Sequence, residues 1–172
     1  MPGFTESSIT LNFPDNNFFR FADCDGYRTF AGFHFKEMDA CWFDEANNLC
    51  WLIELKDFTK ADLSNEDNIA KRSWDIAKKA YDTICMFLSI KHSYEYGTTQ
   101  LDQCLPFSIN AETKFKVVTI VHAATAQKAE VQLLHEQFRI KFKPYALLFD
   151  IGHYGIIEHS KAIANIPYGI VS

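Results

Sequence analysis

The chain has 172 residues, 48% of them hydrophobic and 15% aromatic, which is enough apolar material for a buried core and sets it apart from disordered sequences. Its net charge of −5 is unevenly spread: residues 1–66 hold 5 Lys+Arg against 12 Asp+Glu, and residues 67–172 hold 12 against 10. No apolar run approaches the roughly 20 residues of a membrane span, and the opening MPGFTESS lacks the basic-then-apolar layout of a signal peptide, so a single soluble, cytoplasmic domain over 1–172 is expected.

The apolar positions of Ser8–Phe13 (SITLNF) alternate and predict a strand that ends at Pro14-Asp15-Asn16-Asn17. Phe18–Ala22 (FFRFA) reads as a second short strand. Asp23–Ala31 fits either a short helix capped by Asp23 or Asp25, the preferred reading, or a turn at Asp25-Gly26 leading into a strand. Phe35–Phe58 then predicts a hairpin: two apolar strands joined by the turn residues 44–48, with Glu37 and Asp39 on the first strand and Glu54 and Lys56 on the second. Strand side chains alternate, so each pair shares a face. The run Leu49–Lys56 (LCWLIELK) has the make-up of a buried central strand, yet it ends on an acid and a base, and buried charge is costly unless it is paired or bound to a metal.

Ser64 with Asp67 resembles a capping box, and a helix is expected from about 66 to 90, its buried face marked by Ile69, Ser73, Ile76, Ala77, Ala80, Tyr81, Ile84, Phe87 and Leu88. Lys71, Arg72, Lys78 and Lys79 fall on the other side, where a solvated face is the first reading and phosphate contact the second. Residues 92–111 read as a long loop. Lys114–His122 (KFKVVTIVH) is apolar on both faces at its centre, as in a sheet covered on both sides. A helix from Thr125 is expected to stop near Phe142, ahead of Pro144. Tyr145–Phe149 suggests a short strand or a continuation of the core, His153–Ile157 an edge strand, and Ile163–Val171 a tail held by apolar residues.

Cys24, Cys41, Cys50, Cys85 and Cys104 form no CxxC pair and are expected as reduced core thiols. The six histidines form no HxH or HxxxH pair, which argues against a locally spaced zinc site; His34, the nearest to the hairpin acids, reads as a strand-end residue. The absence of a Gly-rich phosphate loop and of GxSxG disfavours P-loop nucleotide hydrolysis and triad acyl transfer.

Asp39, then Glu54-Leu55-Lys56 at the end of an apolar strand, then a long helix, a strand and a further helix resemble the PD-(D/E)xK nuclease superfamily over about residues 32–142. The resemblance implies an α/β fold: a mixed central sheet flanked by helices, a restriction-endonuclease-like core with N-terminal β additions. It implies Asp39 and Glu54 as metal-binding carboxylates, with the backbone carbonyl of Leu55 as a third oxygen ligand and Glu37 as an auxiliary one, and Lys56 as the catalytic lysine. Mg²⁺, or Mn²⁺ in its place, is the implied cofactor, and the implied activity is phosphodiester hydrolysis in DNA, or alternatively RNA. Many members also use an acid upstream of the first strand; Asp23, Asp25 and Glu37 are the residues at hand, and none fits that place clearly. The rival account of Glu54 and Lys56 is a same-face salt bridge on an edge strand. The other function class is a catalytically degenerate protein of the same fold, acting as an interaction subunit of a larger complex; a homodimer or a partner chain suits either reading.

Overall fold

The run LCWLIELKD forms the central strand of the sheet, as its composition requires. The computed structural model describes residues 2–172 and places five strands in the order β3-β4-β5-β6-β7, with β1 (Gly3–Glu6) and β2 (Ile9–Asn12) paired in a small second sheet. Strands β3 (Phe18–Phe19), β4 (Ala40–Asp44) and β5 (Leu49–Asp57) run antiparallel in succession. Strands β6 (Lys114–His122) and β7 (His153–Glu158) add in parallel on the far side of β5. Parallel neighbours need long crossovers, which α2 (Glu66–Lys91) and α3 (Lys128–Leu148) supply. This is a mixed α/β fold, a five-stranded mixed sheet flanked by helices.

Alternation along β5 divides the core. Cys50 and Leu52 join Val117 and Val121 beneath α2, α3 and Tyr27 of α1 (Asp25–Ala31). Trp51, Ile53 and Leu55 face the opposite way, toward Ile9, Leu11 and Phe13 and the C-terminal segment with α4 (His159–Asn165). Both faces of β5 are therefore buried, which explains a strand with almost no polar alternation. The C-terminal residues complete the second cover: Ser172 N donates to Thr10 O at 3.0 Å and Asn12 N to Ile170 O at 2.7 Å. Among the described residues, no helix is long and apolar enough to cross a membrane.

Several local expectations are corrected. Residues 35–39 are not a strand: the first hairpin strand begins only at Ala40, because Lys36 N donates to Asp82 Oδ2 and Met38 N to Thr83 Oγ1 of α2, both at 2.9 Å, instead of to a neighbouring strand. Of FFRFA only Phe18–Phe19 pairs; the chain then turns to bury Phe21 against Phe87, ring centroids 5.1 Å apart. The cap of α2 is Asn65, whose side chain accepts from Asp67 N at 2.7 Å, while the Ser64 hydroxyl is taken by Asp62. Helix α3 does not stop before Pro144 but carries Tyr145–Leu148 with it. Proline leaves the carbonyl of Ile140 without its helical partner, but both residues lie on the solvent side, where that carbonyl is open to water while Phe142 and Ala146 stay packed.

The stretch read as a long loop is held firmly. A π-helical turn at Gly97–Leu101 packs against α1 and α2, and a 3₁₀ turn at Asp102–Cys104 follows it. A Cβ on Gly26 would lie 2.4 Å from Gln100 O, and one on Gly97 2.4 Å from Ser89 O, so both approaches need glycine. The same approach joins Cys24 to Cys104 in a disulfide, with Cα atoms 5.6 Å apart, which corrects the expectation of reduced thiols for these two. A separation of 80 residues left no local spacing to reveal the pair. Cys41 and Cys50 are free and buried, and Cys85 is free and half-buried. Closing so long a loop restricts the unfolded chain, so reduction, or Cys104→Ser, should lower the unfolding free energy by about 2–5 kcal/mol. Urea unfolding with and without reductant measures this; an unchanged midpoint would show that the bond contributes nothing.

Candidate active site on β5 and α2

Glu54 and Lys56 project from the helix-covered face of β5, and Asp39 comes from the residue just ahead of β4. Glu54 is fully buried and Asp39 nearly so, at 0% and 9% exposure. A short ladder fixes Asp39: its Oδ2 accepts from Leu55 N at 2.7 Å, its carbonyl accepts from Arg20 Nε at 3.1 Å, and the chain ahead of it is tied to Asp82 and Thr83. Helix α2 thus places the first acid, and strand β5 the second.

The two carboxylates meet at one cation. Lys79 Nζ, from α2, lies 3.1 Å from Asp39 Oδ1 and 2.7 Å from Glu54 Oε1. Lys56 Nζ also contacts Glu54 Oε1, whereas Glu54 Oε2 is buried without a hydrogen-bond partner. Thr119, the β6 register partner of Glu54, likewise buries a hydroxyl without a partner. The Glu54–Lys56 pair therefore belongs to a central strand and a buried cluster, not to an exposed edge.

Burial first, and the Asp39 carboxylate second, push the Glu54 pKa up to about 7, while Lys56 and Lys79 pull against them. Burial also works against the Lys79 ammonium, yet Glu54 and Asp39 outweigh it and hold its pKa above the ordinary lysine value. The cluster is two acids and two bases, balanced when all four are ionised.

The other sequence-predicted residues fall as follows. Glu37 does not join the cluster's contacts; it accepts the hydroxyl of Tyr27, whose pKa burial and Glu37 both raise. The carbonyl of Leu55 accepts from Ser7 Oγ at 3.2 Å. Asp23 and Asp25 are surface residues, paired with Arg20 and Arg28, so neither supplies an upstream acid. Lys79, expected on a basic stripe that is solvated or in contact with phosphate, is instead the residue that links both acids; with Arg72, Asp75 and Ile76 it lines one wall of a cleft of about 80 Å³ that also contains Glu54 and Lys56. The spacing 72-75-76-79 is itself a helical face, which was the signal for this role. Asp82 and Thr83, buried polar residues that tie down the Asp39 segment, were missed altogether.

The donor set fits a hard divalent cation: two converging carboxylates, with one buried oxygen still without a partner. Among the described residues no three or more His, Cys, Asp and Glu side chains group as metal ligands, so the protein's anionic contribution is these two acids. Larger clefts exist, one of about 380 Å³ along β7, but its lining holds no Asp or Glu, whereas Glu54, Lys56 and Lys79 line the smaller one.

Comparison with protein-family models, curated proteins and solved structures finds no match to this chain. Its class is accordingly given by the fold and the site alone: a mixed α/β protein with a buried acid–acid–lysine–lysine cluster at the junction of β4, β5 and α2.

The raised Glu54 pKa sets a pH dependence of stability. The folded state holds this proton more tightly than the unfolded chain, so the associated stability is fully present below about pH 4.5 and is lost as pH rises through about 7. In chelator-treated buffer, wild type should lose up to about 3 kcal/mol more than Glu54→Gln between pH 4.5 and 8, read from urea midpoints. Parallel profiles for the two proteins would show that Glu54 titrates as an ordinary carboxylate.

Proposed function

We propose that this protein is a metal-dependent nuclease with a restriction-endonuclease-like core, hydrolysing phosphodiester bonds in DNA, with RNA as the alternative substrate. The observation that carries the reading is the convergence of Asp39 and Glu54 on a single cation position, with Lys56 beside them. The hairpin, the crossover helix and the buried parallel strand that follow it match the order expected of the PD-(D/E)xK resemblance. Asp39 and Glu54 are the residues that would hold Mg²⁺ or Mn²⁺, with the Leu55 carbonyl as a third oxygen and Glu37 at most outside the inner set. The bound ion would supply charge neutralisation at the phosphate and a more acidic water.

The remaining steps rest on the chain's own groups. Lys56 keeps 30% of its side chain exposed while touching buried Glu54, so its ammonium is available to orient an attacking water or to stabilise negative charge on the phosphate. Arg72, held over the Phe58 ring at 5.3 Å, stands at the same cleft as a donor to phosphate oxygens. Burial of Glu54 under α2 keeps bulk water from the carboxylates and strengthens every interaction among them. A net charge of −5 points to a homodimer or a partner chain as the source of further grip on the substrate. A cytoplasmic location belongs to the same proposal and would set the Cys24–Cys104 bond against a reducing environment.

A second reading, a catalytically degenerate subunit of a larger complex, is favoured by the same Lys79: the acids are already neutralised by the protein's own lysines. Incubation with plasmid and single-stranded substrates in Mg²⁺ or Mn²⁺ separates the two. Wild type should cut, and Asp39→Ala and Lys56→Ala should each cut at least about 100-fold more slowly. Equal cleavage by wild type and both variants would indicate a contaminant and leave the degenerate reading in place.

A further inference from the structure

We infer that Lys79 is a built-in counter-ion that occupies the metal position in the ion-free protein and must leave it when a divalent ion binds. The inference rests on the metal-dependent reading above and adds a control element to that site. The geometry is specific to this lysine. Lys56 touches Glu54 alone, whereas Lys79 Nζ bridges Asp39 Oδ1 and Glu54 Oε1 from a third element, at 3.1 and 2.7 Å. Both acids are buried, and two carboxylates facing each other in a low-dielectric site need a cation between them, so the lysine holds the site together in the absence of the ion.

Charge balance then requires an exchange. With both lysines in place, the four ionised side chains sum to zero, and adding a divalent ion would leave a double positive charge in a buried site. Withdrawing Lys79 from the cluster removes one of those charges. The side chain has a route out: it is 23% exposed and lines the cleft together with Asp75, one helical turn back on α2, at the spacing where a lysine and an acid meet on a helix surface. Asp75 is only loosely engaged at present, with Lys36 Nζ 3.8 Å away. Departure of Lys79 would therefore bring its ammonium to the cleft mouth beside Asp75 and Arg72, so that filling the metal position also adds a cation where an anionic phosphate would enter.

Calorimetric titration of the full chain with Mn²⁺ at low salt and fixed pH tests this, using wild type, Lys79→Gln, Lys79→Arg and Asp39→Ala. The expected result is that Lys79→Gln binds Mn²⁺ at least about ten-fold more tightly than wild type, that Lys79→Arg stays near wild type because the competing charge remains, and that Asp39→Ala loses binding. If Asp39→Ala loses binding while Lys79→Gln matches wild type or binds more weakly, the counter-ion role is overturned and the metal site stands. If no protein in the set binds Mn²⁺, the metal site itself is refuted and the inference falls with it. Because Lys79→Gln leaves Lys56 as the one lysine facing two buried acids, its melting temperature is also read with and without Mn²⁺. The rise on adding Mn²⁺ should exceed that of wild type, and an equal or smaller rise overturns the counter-ion role even if the variant is only marginally stable.

Discussion

The constraint on which the rest of the molecule depends is the burial of two carboxylates beneath a helix. Glu54 has no exposure to solvent, and Asp39 has little. An uncompensated charge at that depth costs several kcal/mol, more than a domain of this size can spare. Lys79 and Lys56 answer that cost from two directions, one from α2 and one from β5 itself. The sheet, the helix and the segment ahead of β4 are therefore held in register by an electrostatic requirement as much as by packing.

Helix α2 carries most of that requirement. One face supplies Ile69, Ile76, Ala80, Ile84 and Phe87 to the core, and the same helix places polar side chains where the backbone of 36–38 lacks a strand partner. Thr83 is completely buried and Asp82 almost so, and each accepts a backbone N–H that would otherwise be orphaned at depth. Asp39 follows directly, with its carboxylate turned between Leu55 N and Lys79. A helix that would otherwise serve as a simple crossover between parallel strands thus becomes the element that sets the relative position of two acids, one just ahead of β4 and one on β5.

Much of this was legible before any coordinates. The hairpin, the long helix, the doubly buried β6 and the edge strand β7 all follow from apolar periodicity, because each is dictated by burial on one or two faces. Glu54 and Lys56 stood out because an acid and a base at the end of a buried strand have few structural excuses, and Asp39 was set beside them by the resemblance to the PD-(D/E)xK pattern. What escaped was set by contacts distant in sequence. Residues 35–39 look like a strand, but a helix side chain can satisfy the same N–H groups, and no local pattern separates the two cases. Lys79 reads as solvent-facing by composition, and its inward turn depends on acids 25 and 40 residues away. Cys24 and Cys104 meet only because α1 and the π-helical turn are pressed together by glycine contacts. Pro144 signals a helix end, but its carbonyl partner lies where water can take over, so packing on either side carries the helix through.

The interlock of the chain's two end segments has a kinetic consequence. Residues 170–172 pair with residues 10–12, in an antiparallel bridge centred on Leu11 and Val171, and together they roof the apolar face formed by Trp51, Ile53 and Leu55. Contacts this distant in sequence raise the contact order and impose a large loop-closure entropy late in folding. The helix-covered half, built largely from neighbouring β-α-β units, can assemble first. The roof can close only once residues 170–172 meet residues 10–12, so the folding rate should be governed by this pairing more than by the helix-covered half.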